Sequence, residues 1–421
     1  MRLLVFALAL FVCLPVRADL AGYVARSDPT FSWSLLKNDE SGAGTFYRLS
    51  LVSQTWRGID WKHDLLLAVP EQVIGSQALL FIGGAAGRDE AGLRALARRL
   101  HAPVAVLHQV PNQPLLDGLY EDDLIAETFV RFLRTGEADW PLLLPMTKSV
   151  TRAMDVLQAF SGERLRAQIG QFVLTGASKR GWTAWLAAAV DPRVAGVAPR
   201  VIDMLDVPAQ LPHQLASWGR YSEMLSPYTQ PGLPQFVETP PGRRLIALVD
   251  PWSYRVRLTM PKLIVLGTND RYWTLDALNL YWDGLPGEKR VHYVPNAGHG
   301  LNGDDSWLDT LTCFFTHVRA GHALPVVSGS TAVRADALEL RAETDRAASH
   351  ATLWYAHAPT RDFRDAQWTA QPMVAKPGDA YEAPAPRASE TWTAAFAALA
   401  FDLDGRSCTL STQVSLVPPP R

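Results

Sequence analysis

One stretch decides the fold of this chain, Phe172-Val-Leu-Thr-Gly-Ala-Ser-Lys-Arg-Gly-Trp182. A short apolar run ends in a glycine, a serine follows two residues later, and a segment rich in Ala, Leu and Trp begins at once. This pattern predicts a strand, a sharp turn and a helix, with Ser178 at the apex. Such a turn holds a hydroxyl clear of the sheet, where a base can reach it and the helix N-terminus favours developing negative charge. The stretch therefore predicts that Ser178 is a nucleophile.

Two candidate partners for Ser178 follow later in the chain, in the order that serine hydrolysis on a parallel sheet requires. Asp270 comes directly after an apolar strand, in Gly267-Thr-Asn-Asp270. His299 follows the next strand and lies between two glycines. In such a triad the histidine takes the proton of the serine, and the aspartate fixes the tautomer of the histidine and stabilises the imidazolium. We predict a catalytic triad of Ser178, Asp270 and His299.

Other polar side chains compete for these roles. Asp203 and Asp276 are alternative acids, but Asp270 stands where the chain order places the acid. Asp276 is interpreted as a cap for the segment after Thr274. His213 and Trp273 are predicted to contact the substrate, and no metal ligands are assigned.

The oxyanion hole is predicted from two loops. The backbone N–H of Lys179 comes directly after the nucleophile and is the first donor. The second is expected from Gly84 and Ala85, in the glycine-rich loop Gly83-Gly-Ala-Ala-Gly87 that follows a predicted strand. Glycines let backbone N–H groups approach a ligand closely. A merely tight turn is the alternative reading of this loop.

The turn departs from the usual Gly-x-Ser-x-Gly pattern at one position. Arg180 stands at the second position after the serine, and the glycine comes only at Gly181. One hypothesis is that one of the two neighbouring cations, Lys179 or Arg180, faces the cleft and binds an acidic substrate or assists the oxyanion. The alternative is a structural ion pair with a buried acid such as Asp203 or Asp206, because buried arginines need a partner.

Short apolar runs alternate with helical stretches through most of the chain, which is typical of a parallel sheet covered on both faces. The predicted strands cover residues 47–56, 60–70, 78–82, 103–107, 172–175, 194–198, 262–267 and 290–294. The predicted helices cover residues 89–100, 148–160, 181–190 and 306–319. The fold class is α/β, an α/β-hydrolase with a doubly wound, mostly parallel sheet.

Three further parts complete the predicted domain organisation. Residues 1–18 are interpreted as a signal peptide, with a retained membrane anchor as the alternative. Residues 19–322 form the hydrolase domain, and its Pro-, Tyr- and Trp-rich segment at about 203–257 is predicted to be a cap over the active site. Residues 323–421 carry short alternating runs that predict a small all-β, Ig-like sandwich, in strands at 338–343, 352–356, 392–396 and 409–414.

Composition and charge limit the kinds of binding partner and the cellular compartment that we expect for this protein. The formal net charge is −2 and there is no basic block, so nucleic acid is not an expected partner. No transmembrane run is expected after the signal peptide, and the mature protein is predicted to be exported, periplasmic or secreted, without stable membrane insertion. No cofactor is implied. Cys313 and Cys408 could form a disulfide in an oxidising compartment or remain two buried thiols.

Several motifs together closely resemble the PhoPQ-activated pathogenicity-related family of exported bacterial proteins. These motifs are Thr175-Gly-Ala-Ser-Lys-Arg-Gly-Trp-Thr183, Ala189-Val-Asp-Pro-Arg-Val194, Val201-Ile-Asp-Met-Leu205, Tyr23-Val-Ala-Arg-Ser-Asp-Pro-Thr-Phe-Ser-Trp33, Val110-Pro-Asn-Gln-Pro114, Trp140-Pro141, Leu285-Pro-Gly-Glu-Lys289 and Thr360-Arg-Asp-Phe-Arg364. The resemblance implies an α/β-hydrolase-like fold and, by the family's name, a link to virulence or envelope stress. It supplies no substrate. The serine turn is also similar to the Ser-Arg-x-Gly turn of glucuronoyl esterases, which suggests an ester beside a carboxylate.

The function expected from these observations is a serine esterase or related acyl hydrolase that works through an acyl-enzyme on Ser178. Its substrate would be a small-molecule, glycan or peptide ester. A peptidase of the same fold is one alternative, and a non-catalytic binding or adhesive protein on a hydrolase scaffold is another. The C-terminal domain is expected to contact the envelope or a host surface.

Overall fold

The computed structural model describes residues 19–41, 44–85, 87 and 89–420. The predicted signal peptide, residues 1–18, lies outside the described residues. Within the described ranges, no helix combines the length and the apolar character needed to cross a membrane.

A large mixed sheet forms the centre of the molecule. Its first nine strands are β1 (Ser32–Ser41), β2 (Gly44–Trp56), β3 (Ile59–Val69), β4 (Gln77–Ile82), β5 (Val104–Leu107), β6 (Gln171–Ala177), β7 (Val194–Arg200), β8 (Lys262–Gly267) and β9 (Lys289–Val294). They lie in the order β1-β2-β3-β5-β4-β6-β7-β8-β9. The strands from β5 to β9 in this order pair in parallel, and β1, β2 and β3 pair antiparallel. Because the parallel strands are covered on both faces, every residue of β8 is buried.

Helices cover both faces of this sheet and form the cap. They are α1 (Leu20–Ala25), α2 (Glu90–Leu100), α3 (Glu121–Thr135), α4 (Leu143–Arg164), α5 (Lys179–Val190), α6 (Val207–Trp218), α7 (Ser226–Thr229), α8 (Leu233–Phe236), α9 (Pro240–Val249) and α10 (Ser306–Ala320). Short 3₁₀ segments lie at Glu223–Leu225, Pro251–Arg257, Ala277–Leu280 and Leu301–Gly303. The segment predicted as a cap is therefore almost entirely helical, from α6 to Pro251–Arg257.

The sequence analysis missed α3. The residue before this helix is Tyr120, whose side chain makes no capping hydrogen bond, so the usual Ser, Thr, Asp or Asn start signal is absent. The signal that could have found the helix is its acidic first turn, Glu121 to Asp123, followed by apolar residues at helical spacing.

The C-terminal region is all β, as predicted. Its strands are β10 (Val327–Val333), β11 (Ala337–Thr344), β12 (His350–Ala358), β13 (Thr369–Pro372), β14 (Val374–Lys376), β15 (Ala380–Pro386), β16 (Trp392–Leu403), β17 (Arg406–Ser411) and β18 (Ser415–Val417). Strands β10, β11, β15 and β14 form a separate sheet.

The other C-terminal strands continue the central sheet. Strand β17 pairs with β9 at Ser411 and Val291, and β16, β12 and β13 follow in order, with β18 against β16. Buried side chains of the two C-terminal sheets, such as Leu340 and Leu399, belong to one apolar cluster. The C-terminal strands thus build a two-layered region whose larger sheet is shared with the hydrolase part. The domain boundary near residue 322 stays a prediction.

Candidate active site

Ser178 stands between β6 and α5 in a strained backbone conformation, with φ 54° and ψ −130°. Non-glycine residues rarely adopt this region, and such strain clusters at functional sites. Two glycines allow strand and helix to approach closely. A Cβ at Gly176 would lie 2.5 Å from the carbonyl oxygen of Arg180, and one at Gly181 would lie 2.7 Å from Ile202. Gly181 therefore makes the close approach that the usual pattern assigns to the preceding position.

His299 and Asp270 form a hydrogen-bonded pair. The Nδ1 atom of His299 lies 2.8 Å from Oδ2 of Asp270, and the histidine follows β9 while the acid follows β8. Ser178 and His299 line the same cavity. These two side chains, both among the described residues, make no direct hydrogen bond here, and catalytic hydrogen bonds often shorten only when substrate is bound. The structure thus brings the three predicted triad residues to one edge of the sheet.

Tyr272 positions both members of this pair. Its backbone N–H donates to Oδ1 of Asp270 over 2.9 Å, and its ring stacks on the His299 ring at a centroid distance of 4.2 Å and an angle of 33°. Its hydroxyl donates to Asp122 over 3.2 Å. Burial, followed by the charge of Asp122, raises the pKa of Tyr272. The sequence analysis missed Tyr272 and Asp122, which are 150 residues apart and share no local pattern.

Two cations and two anions form a compact cluster beside Ser178. Lys179 Nζ lies 2.8 Å from Glu121 and 3.4 Å from Asp122. The guanidinium of Arg180 donates two hydrogen bonds to Glu121, at 2.5 and 2.6 Å. Burial opposes ionisation of Glu121, but the hydrogen bonds from Arg180 and Lys179 outweigh it and lower the pKa of Glu121 to about 2. The four charges therefore neutralise one another.

The placement of Arg180 favours the structural alternative. Its side chain is only 13% exposed and also donates to the carbonyl oxygen of Val110 over 2.7 Å. The expected partners were wrong, because Glu121 pairs with Arg180 in place of Asp203 or Asp206. Glu121 begins a helix that the sequence analysis had missed. Arg180 is absent from the residues that line the cavity among those described.

Replacing Arg180 with alanine is expected to lower kcat/KM on acidic and neutral esters equally, by roughly tenfold to a hundredfold. The reason is positional, since loss of the ion pair frees Glu121 and the loops beside Ser178, and small displacements at a catalytic site carry such costs. Steady-state kinetics on matched esters would measure it, with Arg57→Ala at a more exposed ion pair as the control. A loss confined to acidic esters would instead show that Arg180 binds the substrate.

The predicted oxyanion loop lies against Arg180. A Cβ at Gly84 would come within 2.6 Å of the Arg180 guanidinium, so any larger residue there would have to displace that side chain. The loop is held by hydrogen bonds from Val110 N to Gly83 O and from Gln109 N to Gly84 O. The amides of Gly84 and Ala85 donate to no other residue in the described part of the chain. They do not line the cavity, whereas Lys179 does. The assignment of Lys179, Gly84 and Ala85 to an oxyanion hole stays a prediction.

The sequence of this chain is similar to that of known proteins. The family model of the PhoPQ-activated pathogenicity-related protein matches residues 20–364. The chain belongs to that family. It is also 34% identical over 338 residues to autocrine proliferation repressor protein A of Dictyostelium discoideum, a match that covers 76% of this chain and 68% of the relative.

Two solved structures show the fold of this family member. Acetyl xylan esterase 1 from Thermoanaerobacterium sp. JW/SL YS485 matches with a TM-score of 0.52 and 15% identity, over 71% of this chain and 93% of its own. The acetyl xylan esterase from Paenibacillus sp. R4 matches with a TM-score of 0.53 and 14% identity, over 72% and 92%. At these identities the likeness establishes the α/β-hydrolase fold alone, in agreement with the predicted fold class.

Besides Arg180, two residues were predicted to contact the substrate, His213 and Trp273, and they occupy different surroundings. Trp273 lines the cavity. His213 is not among the described residues that line the cavity. Its Nε2 lies 2.8 Å from Oδ1 of Asp276. The same carboxylate also pairs with Arg361 at 2.6 Å. The cap, the loop after β8 and the C-terminal region meet at Asp276. Asp276 stands at the N-cap position of Ala277–Leu280, as predicted, but its carboxylate makes no capping hydrogen bond and instead binds His213 and Arg361.

Asp203, the competing acid, is not part of the His299 pair. It is buried, and the Tyr281 hydroxyl donates to it over 2.6 Å. Burial raises the pKa of Asp203 to about 7. The hydrogen bond from Tyr281 opposes this rise, and the negative charge of Asp270 adds to it. Asp250 is another buried acid, and burial raises its pKa to about 7 as well.

Replacing Asp203 with asparagine is expected to reduce the pH dependence of stability between about pH 4 and pH 7 by at least about 1 kcal/mol. The folded protein holds this proton up to about pH 7, whereas the unfolded chain releases it near pH 4. The contribution to the free energy of unfolding is therefore complete below pH 4 and is lost as pH rises through 7. Urea unfolding at several pH values would test this. An unchanged slope in the variant would contradict it, and Asp250→Asn offers a matched comparison.

Cys313 and Cys408 are both buried free thiols in the structure. The interaction with Cys408 lowers the pKa of Cys313. No group of three or more His, Cys, Asp or Glu side chains able to hold a metal ion occurs among the described residues.

Proposed function

We propose that this chain is an exported serine hydrolase that cleaves carboxylic esters through an acyl-enzyme. Ser178 attacks the ester carbonyl while His299 takes its proton, and Asp270 holds the imidazole and stabilises its charge. His299 then protonates the departing alcohol. A water molecule, activated by the same histidine, hydrolyses the acyl-enzyme and restores Ser178.

One observation carries this proposal. A strained serine at a strand-to-helix turn shares a cavity with a histidine whose Nδ1 lies 2.8 Å from a carboxylate. The hydrogen bond at Nδ1 leaves Nε2 as the atom that accepts the serine proton, so each group has the environment that its role requires. Tyr272 supports the arrangement by contacting both His299 and Asp270.

Labelling with a fluorophosphonate probe tests the proposal. The native chain is expected to become labelled on Ser178, and Ser178→Ala to remain unlabelled, because the probe reacts with a serine that a neighbouring base has activated. Screening p-nitrophenyl esters, sugar esters and peptide amides with the same two proteins would separate an esterase from a peptidase. Failure of the native chain to react with the probe and with every ester would refute the proposed function.

A second candidate is a non-catalytic regulator on the same scaffold. The observation that favours it is the 34% identity to a relative whose name describes an autocrine proliferation repressor. Under this candidate, Ser178→Ala would retain the biological effect of the native chain, whereas under the leading proposal the effect would be lost together with the labelling.

Export and surface contact belong to the proposal as well. The signal peptide predicted at residues 1–18 would be cleaved after Ala18, so that the mature chain starts at Asp19. N-terminal sequencing of the protein from the periplasm and the medium would check this. Contact of the C-terminal β region with an envelope or host surface stays a prediction.

A further inference from the structure

A cavity of about 120 Å³ opens beside Ser178 and His299. Its size is on the scale of the apolar cavity of about 150 Å³ that takes up benzene in an engineered protein. An acetyl group would leave much of this space empty. The cavity instead suits a group of up to about six carbons.

The cap supplies about half of the lining side chains, and all of these are apolar or aromatic. They include Leu211 on α6, Leu233 on α8, and Leu245 and Val249 on α9. Other lining residues, such as Phe129, Trp182 and Ile202, come from outside the cap. When an apolar group enters this space, its transfer from water is favourable, and the free energy gained is proportional to the apolar surface area that is buried.

The two charged side chains in the wall, Lys179 and Asp122, are already compensated. Lys179 is paired with Glu121 and Asp122. The two oxygens of Asp122 accept hydrogen bonds from the hydroxyls of Tyr228 and Tyr272, at 3.0 and 3.2 Å. A charged substrate would therefore have to bury its charge without a partner of its own, which is costly. The cavity favours a neutral group.

The burial of the lining residues distinguishes the acyl part of the ester from the alcohol part. Lining residues such as Met204 and Val249 are almost fully buried, whereas the His299 side chain is 28% exposed. The acyl group stays attached to Ser178 through both steps, but the alcohol must leave and water must replace it beside the histidine. The buried, apolar part of the cavity therefore fits the acyl group, and the exposed side of His299 fits the alcohol.

We propose that the site takes neutral esters of medium-length aliphatic or aromatic carboxylic acids, of about six carbons, with the acyl group under the cap. This inference rests on the proposed esterase function.

The acyl-chain series of p-nitrophenyl esters tests the proposal. Each added methylene is expected to raise kcat/KM about threefold to fourfold until the cavity is full, so that hexanoate exceeds acetate at least tenfold. A parallel series of acetates of longer alcohols should show no such rise. A flat or falling acyl series, or a rise confined to the alcohol series, would overturn the proposal.

Substitutions that fill the cavity provide a second test of the proposal. Leu211→Trp on α6 is expected to lower the ratio of hexanoate to acetate kcat/KM at least tenfold. The control is Leu215→Trp, one turn further along the same helix. Leu215 is exposed and is not among the described residues that line the cavity, so the ratio of hexanoate to acetate kcat/KM in this variant should match that of the native chain. Ile246→Trp repeats the test from α9, in case the first variant fails to fold, as judged by circular dichroism. Equal ratios in the filled variants and the control would refute the proposal.

The labelling experiment distinguishes failure of this inference from failure of the proposed function. A chain whose Ser178 reacts with a small fluorophosphonate but prefers acetate would retain the proposed function and lose this inference. A chain that neither labels nor cleaves any ester would lose both.

Discussion

Replacing Ser178 with alanine is expected to lower kcat for ester hydrolysis by about 10⁵-fold or more, with little change in stability. Alanine keeps the strained turn and removes only the attacking oxygen, so the acyl-enzyme cannot form. Asp270→Asn is expected to lower kcat by about 10⁴-fold, because an amide would favour the wrong tautomer of His299. The double variant should be little worse than Ser178→Ala alone, since the three residues act as one unit.

Steady-state kinetics on a hexanoate ester, with thermal unfolding as a check of folding, would measure these losses. Ser217→Ala is a matched control, since this buried hydroxyl on α6 has no hydrogen-bond partner in the described part of the chain. It is expected to retain full activity. Native-like turnover by Ser178→Ala would mean that another group carries the reaction, and an unaffected Asp270→Asn would remove that carboxylate from the triad.

Replacing Glu121 with glutamine is expected to lower the free energy of unfolding by about 2 kcal/mol at pH 7. The change leaves Lys179 and Arg180, whose side chains are 8% and 13% exposed, with only Asp122 to balance two positive charges. Loss of one partner of a buried pair costs about 3–5 kcal/mol, and we reduce this value because the Glu121 side chain is 39% exposed.

Urea unfolding of both chains at several pH values would measure this effect. Because the pKa of Glu121 is lowered to about 2, its contribution is complete above about pH 4.5 and is lost as pH falls towards 2. The difference between native chain and variant should shrink over that range. Glu137→Gln removes a more exposed partner of Arg57 and should cost under about 1 kcal/mol. Equal effects of the two substitutions would show that the cluster beside Ser178 does not stabilise the fold.

The cluster also changes the interpretation of the two cations beside Ser178. The sequence shows Lys179 and Arg180 where a glycine would usually close the turn, and this suggested a preference for acidic substrates. The structure shows both cations already paired. The neutral, apolar lining of the cap therefore becomes the feature from which substrate preference is inferred.

The sequence by itself determined the central strands, the serine turn and the chain order of Ser178, Asp270 and His299. These features are local, because a buried parallel strand is a short apolar run and a tight turn requires glycine at defined positions. The same locality explains why the all-β character of the C-terminal region was predictable from alternating runs and turn residues.

Only the tertiary structure decided which distant residues meet. Arg180 binds Glu121, which is 59 residues away, and the Tyr272 hydroxyl reaches Asp122 across 150 residues. The pairing of β17 with β9, which extends the hydrolase sheet into the C-terminal region, is likewise a long-range contact. No local pattern encodes such pairs, since many acids in the chain could satisfy one arginine and any strand edge could accept another strand. Folding selects among them through burial, which penalises an unpaired charge and an open strand edge alike.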